Sequence, residues 1–161
     1  MEIRIRQAQT GDVAAIVDVV KSIDFLSAIY PDESIETTRS RVLSQLSLCK
    51  ADGSHLILVA ESSSGEIAGY ISAHWLPYLI FAGPEGYVSE LFVKERLRGR
   101  GVGTRLLEAI KTEAEKRGCS RLMLLNMRNR PSYQRQFYSK HGWQERPDVA
   151  NFVLPLKPAN R

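Results

Sequence analysis

The 161-residue sequence is poor in cysteine: it contains only Cys49 and Cys119, which lie far apart and lack the spacing of metal ligands. This scarcity excludes a disulfide-rich scaffold and a zinc module, and it favours two reduced thiols over a disulfide bond. Long apolar runs are also absent, since none exceeds five residues, whereas a membrane-spanning helix needs about 18. The N-terminal residues alternate charged and apolar side chains and offer no apolar segment of a secretory signal. We therefore expect a cytoplasmic protein with no membrane partner.

Internal repeats and low-complexity segments are lacking as well. With 43% apolar and 25% charged residues, the composition is that of a folded globular chain rather than a disordered or collagen-like one. A length of about 150 residues is typical of one domain. We therefore expect a single domain that spans residues 1–161 and buries a substantial core.

The modest net charge of +4 hides an uneven distribution. Residues 1–93 carry six basic and twelve acidic side chains, whereas residues 94–161 carry sixteen basic and six acidic ones. The N-terminal segment thus has a net charge of −6, and the C-terminal segment has a net charge of +10. This asymmetry predicts that the C-terminal segment meets an anionic partner, such as a phosphate group, a nucleic acid or a membrane surface.

Hydrophobic periodicity predicts about seven strands and about four helices in the order β-α-α-β-β-β-α-β-α-β-β. This order implies an α/β (α+β) fold in which a mixed central sheet carries helices on both faces. The predicted strands are residues 3–6, 56–61, 67–76, 87–93 and 122–127, with further strands at Trp143 and at residues 151–156. The predicted helices are residues 13–23, 35–48, 102–117 and 132–141.

Three of the predicted helices have apolar residues at three- and four-residue steps, which predicts that each helix buries one face. These residues are Val13, Ile16, Val17 and Val20 in the first helix, Val42, Leu43 and Leu46 in the second, and Val102, Leu106, Leu107, Ile110 and Ala114 in the third. Residues 122–127 contain a continuous apolar run, which is typical of a strand covered on both faces.

The segment Arg98-Gly99-Arg100-Gly101-Val102-Gly103 lies between a predicted strand and a predicted helix. Glycines there let the backbone curl so that successive N–H groups converge, and the helix N-terminus adds a potential that favours an anion. Residues 94–101 also carry four basic side chains and one acidic one. The segment is therefore a candidate diphosphate site. The alternative is a glycine-rich turn whose arginines are merely solvated.

Two other phosphate-binding loops fit this segment less well. A Walker loop requires a Lys directly after its last glycine, and no such Lys is present. A dinucleotide fingerprint requires a third glycine where Leu106 stands and an acidic residue about 20 positions further on, near which Arg121 lies.

Two motifs together resemble the GNAT superfamily of acyl-CoA-dependent N-acetyltransferases. Leu91-Phe92-Val93 followed by Arg98-x-x-Gly101-x-Gly103 is similar to the family's acetyl-CoA signature, and Phe137-Tyr138-x-x-x-Gly142-Trp143 is similar to its C-terminal Phe-Tyr-x-x-x-Gly-Phe segment. The element order extends the resemblance over nearly the whole chain and implies a mostly antiparallel sheet. The sequence departs from the second motif, since Gln134 and Pro131 replace a small residue and an asparagine, and nearby Asn129 is the candidate substitute for that asparagine.

The resemblance implies acetyl-CoA as co-substrate and no metal. The pantetheine arm would pair with the backbone of Leu91, Phe92 and Val93, and one backbone N–H there would stabilise the oxyanion formed on the thioester. The diphosphate would be held by backbone amides of the following loop, and Asn129 would add a contact. The loop residues are Arg98, Gly99, Arg100, Gly101, Val102, Gly103 and Thr104. Tyr138 matches the family's general acid, which protonates the departing thiolate.

An amine acceptor is protonated near neutral pH and needs a base before it can attack. Glu90 is the candidate general base, because a carboxylate in an apolar context has a raised pKa. Strand alternation predicts that Glu90 lies on the opposite face from Ser89 and Leu91, and Glu90 can instead be a structural carboxylate. His74 on the preceding strand is a rival base.

The acceptor site is predicted from two loops, residues 24–34 and 77–86, which wall the acceptor pocket in the family. Phe25, Tyr30 and Tyr78 would enclose an apolar stem, with Glu90 near the amine, and loop carboxylates would attract a cation. The expected partner is therefore a small-molecule or peptide amine, and a homodimer is consistent with the resemblance.

Two other functions compete with an enzyme. A nucleic-acid-binding module would use the basic C-terminal segment, but no zinc finger or aromatic ribonucleoprotein motif is present, so we expect no nucleic-acid partner. A GNAT-like protein that binds acyl-CoA without catalysis is the second alternative.

Overall fold

The computed structural model describes residues 2–23 and 29–156. The chain divides into two compact units, Met1–Leu125 and Asn126–Arg161. The strands are β1 (Ile3–Gln7), β2 (His55–Ser62), β3 (Ile67–Leu76), β4 (Glu85–Val93) and β5 (Arg121–Leu124). The α-helices are α1 (Val13–Lys21), α2 (Ile35–Lys50), α3 (Val102–Lys116) and the one-turn α4 (Pro131–Gln134).

The first unit is built on a five-stranded sheet in the order β1-β2-β3-β4-β5. Strands β1 to β4 pair antiparallel, and β4 pairs parallel with β5. Gly65, with φ of 81°, lies in the tight turn that joins β2 to β3. The mixed, mostly antiparallel sheet is confirmed, but the described residues form five strands rather than about seven.

Strand β3 lies at the centre of the core. All residues from Ile67 to Ala73 are buried, so both faces of the strand are covered. On one face, Tyr70 belongs to a cluster with residues of α1 and with Leu46 of α2. Helix α3 also lies against β3 and β4. Its buried residues cover the β3 side chains that point to the face opposite Tyr70.

The helical periodicity is confirmed in α1 and α3, where every residue predicted to be buried is buried. It is only partly right in α2: Leu46 is buried, Val42 is partly buried, and Leu43 is 40% exposed. The fully buried Thr38 occupies part of the helix face that is expected to be apolar. Its hydroxyl donates to the Glu33 carboxylate and to the Ser34 carbonyl. A polar side chain can be buried at such a position once its hydrogen bonds are satisfied.

Strand β5 is shorter and more exposed than its apolar run predicts. It ends at Leu124, and both Leu125 and Met127 are 59% exposed. The prediction of a strand buried on both faces is wrong here, since Arg121 is exposed and Leu122, Met123 and Leu124 are only partly buried. Strand β5 lies at the edge of the sheet, next to β4.

The second unit contains little regular structure among its described residues, 126–156. The helix predicted at 132–141 is wrong as one element: α4 ends at Gln134, Gln136 has φ of 56°, and a separate 3-10 turn covers Ser139–His141. A left-handed residue interrupts helical hydrogen bonding. The strands predicted at Trp143 and at 151–156 are absent from the described residues. Pro155 lacks a backbone donor, and Phe152 is 90% exposed with no strand partner among them.

Candidate active site

Strand β4 leaves its parallel neighbour halfway along its length. Its pairing with β5 runs from Glu85 opposite Arg121 to Val88 opposite Leu124 and stops there. The later residues 90–93 still pair with β3, while Ser89 has no register partner there. Among the described strands, β5 therefore supplies no ladder partner to this second half. An extended ligand that carries amide groups can pair with such an edge.

A β-bulge at Ser89 brings two neighbouring polar side chains to one face of the sheet. The register of β3 and β4 shifts there and leaves Ser89 as the extra residue. Ser89 Oγ is 2.7 Å from Nε2 of His74, and the Glu90 carboxylate accepts a hydrogen bond from Tyr70. Tyr70 and His74 share one face of β3 because they are four residues apart. The prediction that Glu90 faces away from Ser89 is therefore wrong, since a bulge interrupts strand alternation.

The groups around the Glu90 carboxyl shift its pKa in opposite directions. Although Glu90 reaches solvent, the protein around its carboxyl raises the pKa above the usual glutamate value, against the hydrogen bond from Tyr70 and the positive charge of Arg41. Burial of Tyr70 and the nearby negative charge raise the pKa of its phenol well above its ordinary value, so the phenol remains a donor. A carboxylate with a raised pKa accepts a proton more readily than an exposed one does.

A second polar group lies next to this carboxylate on the same strands. The His74 ring meets the His55 ring edge-on, with 4.5 Å between centroids, and His55 Nδ1 is 2.6 Å from Ser54 Oγ. Burial and the charge of His55 lower the pKa of His74 below its usual value. His74 is therefore neutral at pH 7 and can accept a proton.

The glycine-rich loop after β4 has the geometry of an anion site. Gly99 and Gly101 have φ angles of 74° and 79°, which only glycine adopts readily. Among the described residues, none beyond the chain neighbours comes within 4 Å of the position of a Cβ at either glycine, so the space beside the loop is open. Buried Leu97 anchors the preceding 3-10 turn, and Arg98 Nε donates to the Val93 carbonyl at 3.1 Å.

The start of α3 supplies the donors for such an anion. Arg105 N donates to the Gly101 carbonyl, and this is the first hydrogen bond of the helix. The N–H groups of the first turn lie before the point where helical hydrogen bonding begins, so they can point towards an anion. This turn contains Val102, Gly103 and Thr104. Lys94 and Arg96 form ion pairs with Glu66, and the exposed Arg98 lies 4.0 Å from the Glu95 carboxylate. Arg100 is exposed beside the loop. The loop and the start of α3 thus have the geometry of an anion site, and a bound diphosphate stays a prediction.

The predicted acceptor residues are found in separate places. The Tyr30 ring lies 4.9 Å from the guanidinium of Arg41, whose positive charge also acts on Glu90. Tyr78 is 41% exposed and stacks on Phe81 of its own loop at 5.3 Å. Phe25 lies outside the described residues. Arg41 thus connects Tyr30 with Glu90, and Tyr78 has no contact with them in the portion of the chain that the structure describes.

Arg41 is fixed by a carboxylate at the edge of a shallow depression. Its Nη2 is 2.7 Å from Glu33 Oε2, and this pairing lowers the pKa of Glu33 to about 2. Val20, Lys21, Tyr30, Pro31, Glu33, Thr38 and Arg41 line the depression. The depression therefore presents the Tyr30 ring beside the guanidinium of Arg41, which Glu33 holds in place.

The residues of β4 that are predicted to contact the co-substrate lie in the second half of the strand. Leu91, Phe92 and Val93 are partly buried, and the Phe92 ring packs 5.9 Å from that of Tyr70. Their side chains thus pack within the protein while their backbone lies along the edge that β5 leaves open.

The second unit contains the predicted general acid. Tyr138 is partly buried, with the Phe137 and Trp143 rings at centroid distances of 5.1 and 6.0 Å. Burial raises the pKa of Tyr138 to about 12, so its hydroxyl carries a proton at neutral pH. Asn129 is exposed in the turn before α4, whereas Asn126 accepts a hydrogen bond from Ser132 at 3.0 Å. A contact between Asn129 and the co-substrate stays a prediction.

Sequence patterns missed two residues of this site, Tyr70 and Arg41. Tyr70 is one of the apolar-looking residues of a buried strand. The β3–β4 register, which sets Glu90 opposite Ser72, brings Glu90 to a position diagonal to Tyr70. Arg41 follows Ser40 on a helix whose apolar face is poorly defined. The only signal for either residue was a polar group in a segment expected to be buried.

No helix in the described ranges is both long and apolar enough to cross a membrane. Residues 2–23 and 29–156 also contain no group of three or more potential metal ligands.

A family profile and two individual relatives agree on one family for this chain. The sequence profile of the Acetyltransferase (GNAT) family matches residues 21–143. The chain is 26% identical over 134 residues to a thialysine N-epsilon-acetyltransferase of Bos taurus, covering 76% of this chain and 73% of the relative. It is 27% identical over 120 residues to an L-methionine sulfoximine/L-methionine sulfone acetyltransferase of Pseudomonas paraeruginosa (strain DSM 24068 / PA7), covering 73% of this chain and 67% of the relative.

A solved structure shares the fold at lower sequence identity. A transcriptional regulator from Bacillus halodurans C-125 superposes with a TM-score of 0.76 and 21% identity, covering 96% of this chain and all of that chain. At this identity the likeness is evidence for the fold alone.

Proposed function

Because the chain belongs to the Acetyltransferase (GNAT) family and is an acyltransferase, we propose that it transfers the acetyl group of acetyl-CoA to the primary amine of a small molecule or peptide. Both units serve this one transferase domain. The reaction takes place in the cytoplasm, where acetyl-CoA is available and two free thiols remain reduced.

The observation that carries the proposal is the divergence of β4 from β5, with a glycine-rich loop directly after β4. The backbone of Leu91, Phe92 and Val93 lies along the edge that β5 leaves, where the amides of pantetheine can pair with it. The amides of residues 98–104 and the α3 N-terminus receive the diphosphate. Bound acetyl-CoA supplies an electrophilic thioester carbonyl beside the second half of β4, where a backbone N–H stabilises the oxyanion.

Glu90 is the general base of the proposed reaction. An alkylammonium has a pKa of about 10 and cannot attack until it loses a proton. The carboxylate of Glu90 attracts that cation and accepts its proton, and its raised pKa suits this exchange near neutral pH.

Tyr138 is the general acid. Its phenol stays protonated because burial raises its pKa to about 12, so it can donate a proton to the departing CoA thiolate. A Tyr138→Phe variant tests this role: kcat falls while the affinity for acetyl-CoA changes little. Unchanged kinetics at a saturating amine concentration would remove Tyr138 from the mechanism.

Amino acids are the first acceptors to test. The relatives named above act on thialysine and on methionine sulfoximine or sulfone, and all three compounds are amino acids. Such a zwitterion matches the charges of this site, since the positive charge of Arg41, which is paired with Glu33, also acts on the carboxylate of Glu90. Tyr30, stacked on Arg41, offers an apolar surface for the side chain of the acceptor.

A panel of amines with thiol detection tests the proposed function. The purified protein is mixed with acetyl-CoA and with amino acids, polyamines, aminoglycosides or N-terminal peptides, and free CoA thiol is measured. We expect release that depends on the amine and is fastest with an amino acid. Acetyl-CoA binding without thiol release from any amine would contradict an enzyme and favour a protein that only binds acyl-CoA.

A further inference from the structure

The polar pair next to Glu90 has no role in the proposed reaction so far. Ser89 is exposed, and it is the first residue of β4 beyond the segment that pairs with β5. Its hydroxyl lies 2.7 Å from His74 Nε2 and 3.4 Å from the Ser72 carbonyl. The bulge, which turns Ser89 to the same face as Glu90, is what makes this contact with His74 possible.

We propose that Ser89 and His74 form a proton relay that accepts a proton from the acceptor ammonium beside Glu90. This inference rests on the proposed function and adds a second proton acceptor to it. The ammonium N–H gives its proton to Ser89 Oγ, the Ser89 hydroxyl gives its own proton to His74 Nε2, and the amine keeps its electron pair for attack. His74 becomes an imidazolium and releases the proton to solvent from its partly exposed ring.

The surroundings of His74 favour its neutral, proton-accepting form. His55 of β2 meets its ring at 4.5 Å, and Tyr87 of β4 lies 6.1 Å away between ring centroids. Asp52, in the turn before β2, lies 3.9 Å from His55 Nδ1, and Arg117 of the α3 C-terminus donates to the backbone of that turn. Burial and the charge of His55 lower the pKa of His74, so the relay stays open to lower pH than an exposed histidine would allow.

Two relay groups in series predict a specific pattern of kinetic losses. Removing either group breaks the same route, so Ser89→Ala and His74→Gln should have equal effects and the double variant should be no worse than either. The loss should depend on pH, because an amine that is already deprotonated at high pH needs no proton acceptor.

The experiment is a pH profile of kcat/KM for the best amine at saturating acetyl-CoA, from pH 6 to 10. We expect a loss of about 10-fold at pH 7 in Ser89→Ala, His74→Gln and the double variant, which is less than the ~100-fold or more of a sole general base because Glu90 still accepts protons. The loss should shrink towards the pKa of the amine. Ser120→Ala, whose hydroxyl meets only loop carbonyls at 3.3 Å, is the matched control and should keep its activity.

The outcomes separate this relay from the proposed function. Wild-type turnover with unchanged profiles in the variants would overturn the relay and leave the proposed function intact. A loss that is equal at every pH, or additive in the double variant, would also overturn it, since that pattern indicates a structural role. A wild-type protein that acetylates no amine would overturn both.

Discussion

From Glu85 to Val88, strand β4 is hydrogen-bonded to β3 on one side and to β5 on the other, and Glu85, Gly86 and Val88 are buried. From Glu90 to Val93 the same strand pairs with β3 and, among the described strands, no longer with β5. Ser89 is the extra residue between the two halves, and both Ser89 and Glu90 are exposed. The two halves differ in their polar groups too. In the first half, the fully buried Glu85 is paired with Arg121. In the second half, the polar side chains face open space.

This comparison separates stability from function along one strand. Closed backbone pairing and a buried ion pair in the first half fix the point at which β4 and β5 diverge. The second half can then leave backbone groups and a carboxylate available to a ligand, because the first half holds the strand in place. Substitutions in the two halves should therefore affect different measurements.

The largest effect is expected from Arg121→Ala, which removes the partner of Glu85 in the first half. The fully buried Glu85 carboxylate would be left without its positive partner, and breaking such a pair costs about 3–5 kcal/mol of unfolding free energy. Urea unfolding measures this loss. Glu66→Ala is the control, because Glu66 pairs with Lys94 and Arg96 at the surface and should cost about 1 kcal/mol or less. Equal losses in both variants would contradict the structural role of the first half.

Glu90→Gln in the second half should give the opposite result. Without the Glu90 carboxylate the amine can lose its proton to the proposed Ser89–His74 relay alone, so we expect kcat to fall by about 100-fold. Removing a carboxylate whose charge is disfavoured by the protein around it should leave the melting temperature nearly unchanged. Thiol release and thermal unfolding of the same sample measure both quantities. A variant that unfolds early and keeps its turnover per folded molecule would reverse the assignment of the two halves.

A smaller effect is expected from Tyr70→Phe, which removes the hydrogen bond to Glu90. That bond lowers the pKa of Glu90, so its loss raises the pKa further. Because Glu90 acts as a carboxylate, activity should be lost at higher pH when the solution is acidified. The acid limb of kcat/KM should move up by about 0.5 to 1 pH unit, equivalent to about 0.7–1.4 kcal/mol, the net contribution of an ordinary hydrogen bond. A limb that stays in place or moves down would contradict Glu90 as the titrating base.

The sequence predicts those features of the fold that depend on residues close together in the chain. Helix α3 is foreseen residue by residue, because its apolar stripe follows the helical period and one sheet face covers it. The loop with Gly99 and Gly101 is also foreseen, since a strand, glycines and a helix in that order leave few other conformations. Both features depend on residues close together in the chain.

Features decided by distant residues are not predicted. The bulge at Ser89 depends on the register between β3 and β4, and a single extra residue reverses the face of Glu90. The contact of Tyr70 with Glu90 has the same origin. Residues 151–156 have a strand-like composition but no partner strand among the described residues, and composition alone cannot supply one.

The most direct test of the account is calorimetric titration of acetyl-CoA into the wild type and Gly101→Glu. The added carboxylate would lie in the loop that receives the diphosphate, at a glycine with φ of 79°. Gly101→Asn is the control for backbone strain, because asparagine tolerates this conformation and adds no charge. We predict binding by the wild type, weaker binding by Gly101→Asn and none by Gly101→Glu. Binding of acetyl-CoA by folded Gly101→Glu with wild-type affinity would contradict the account.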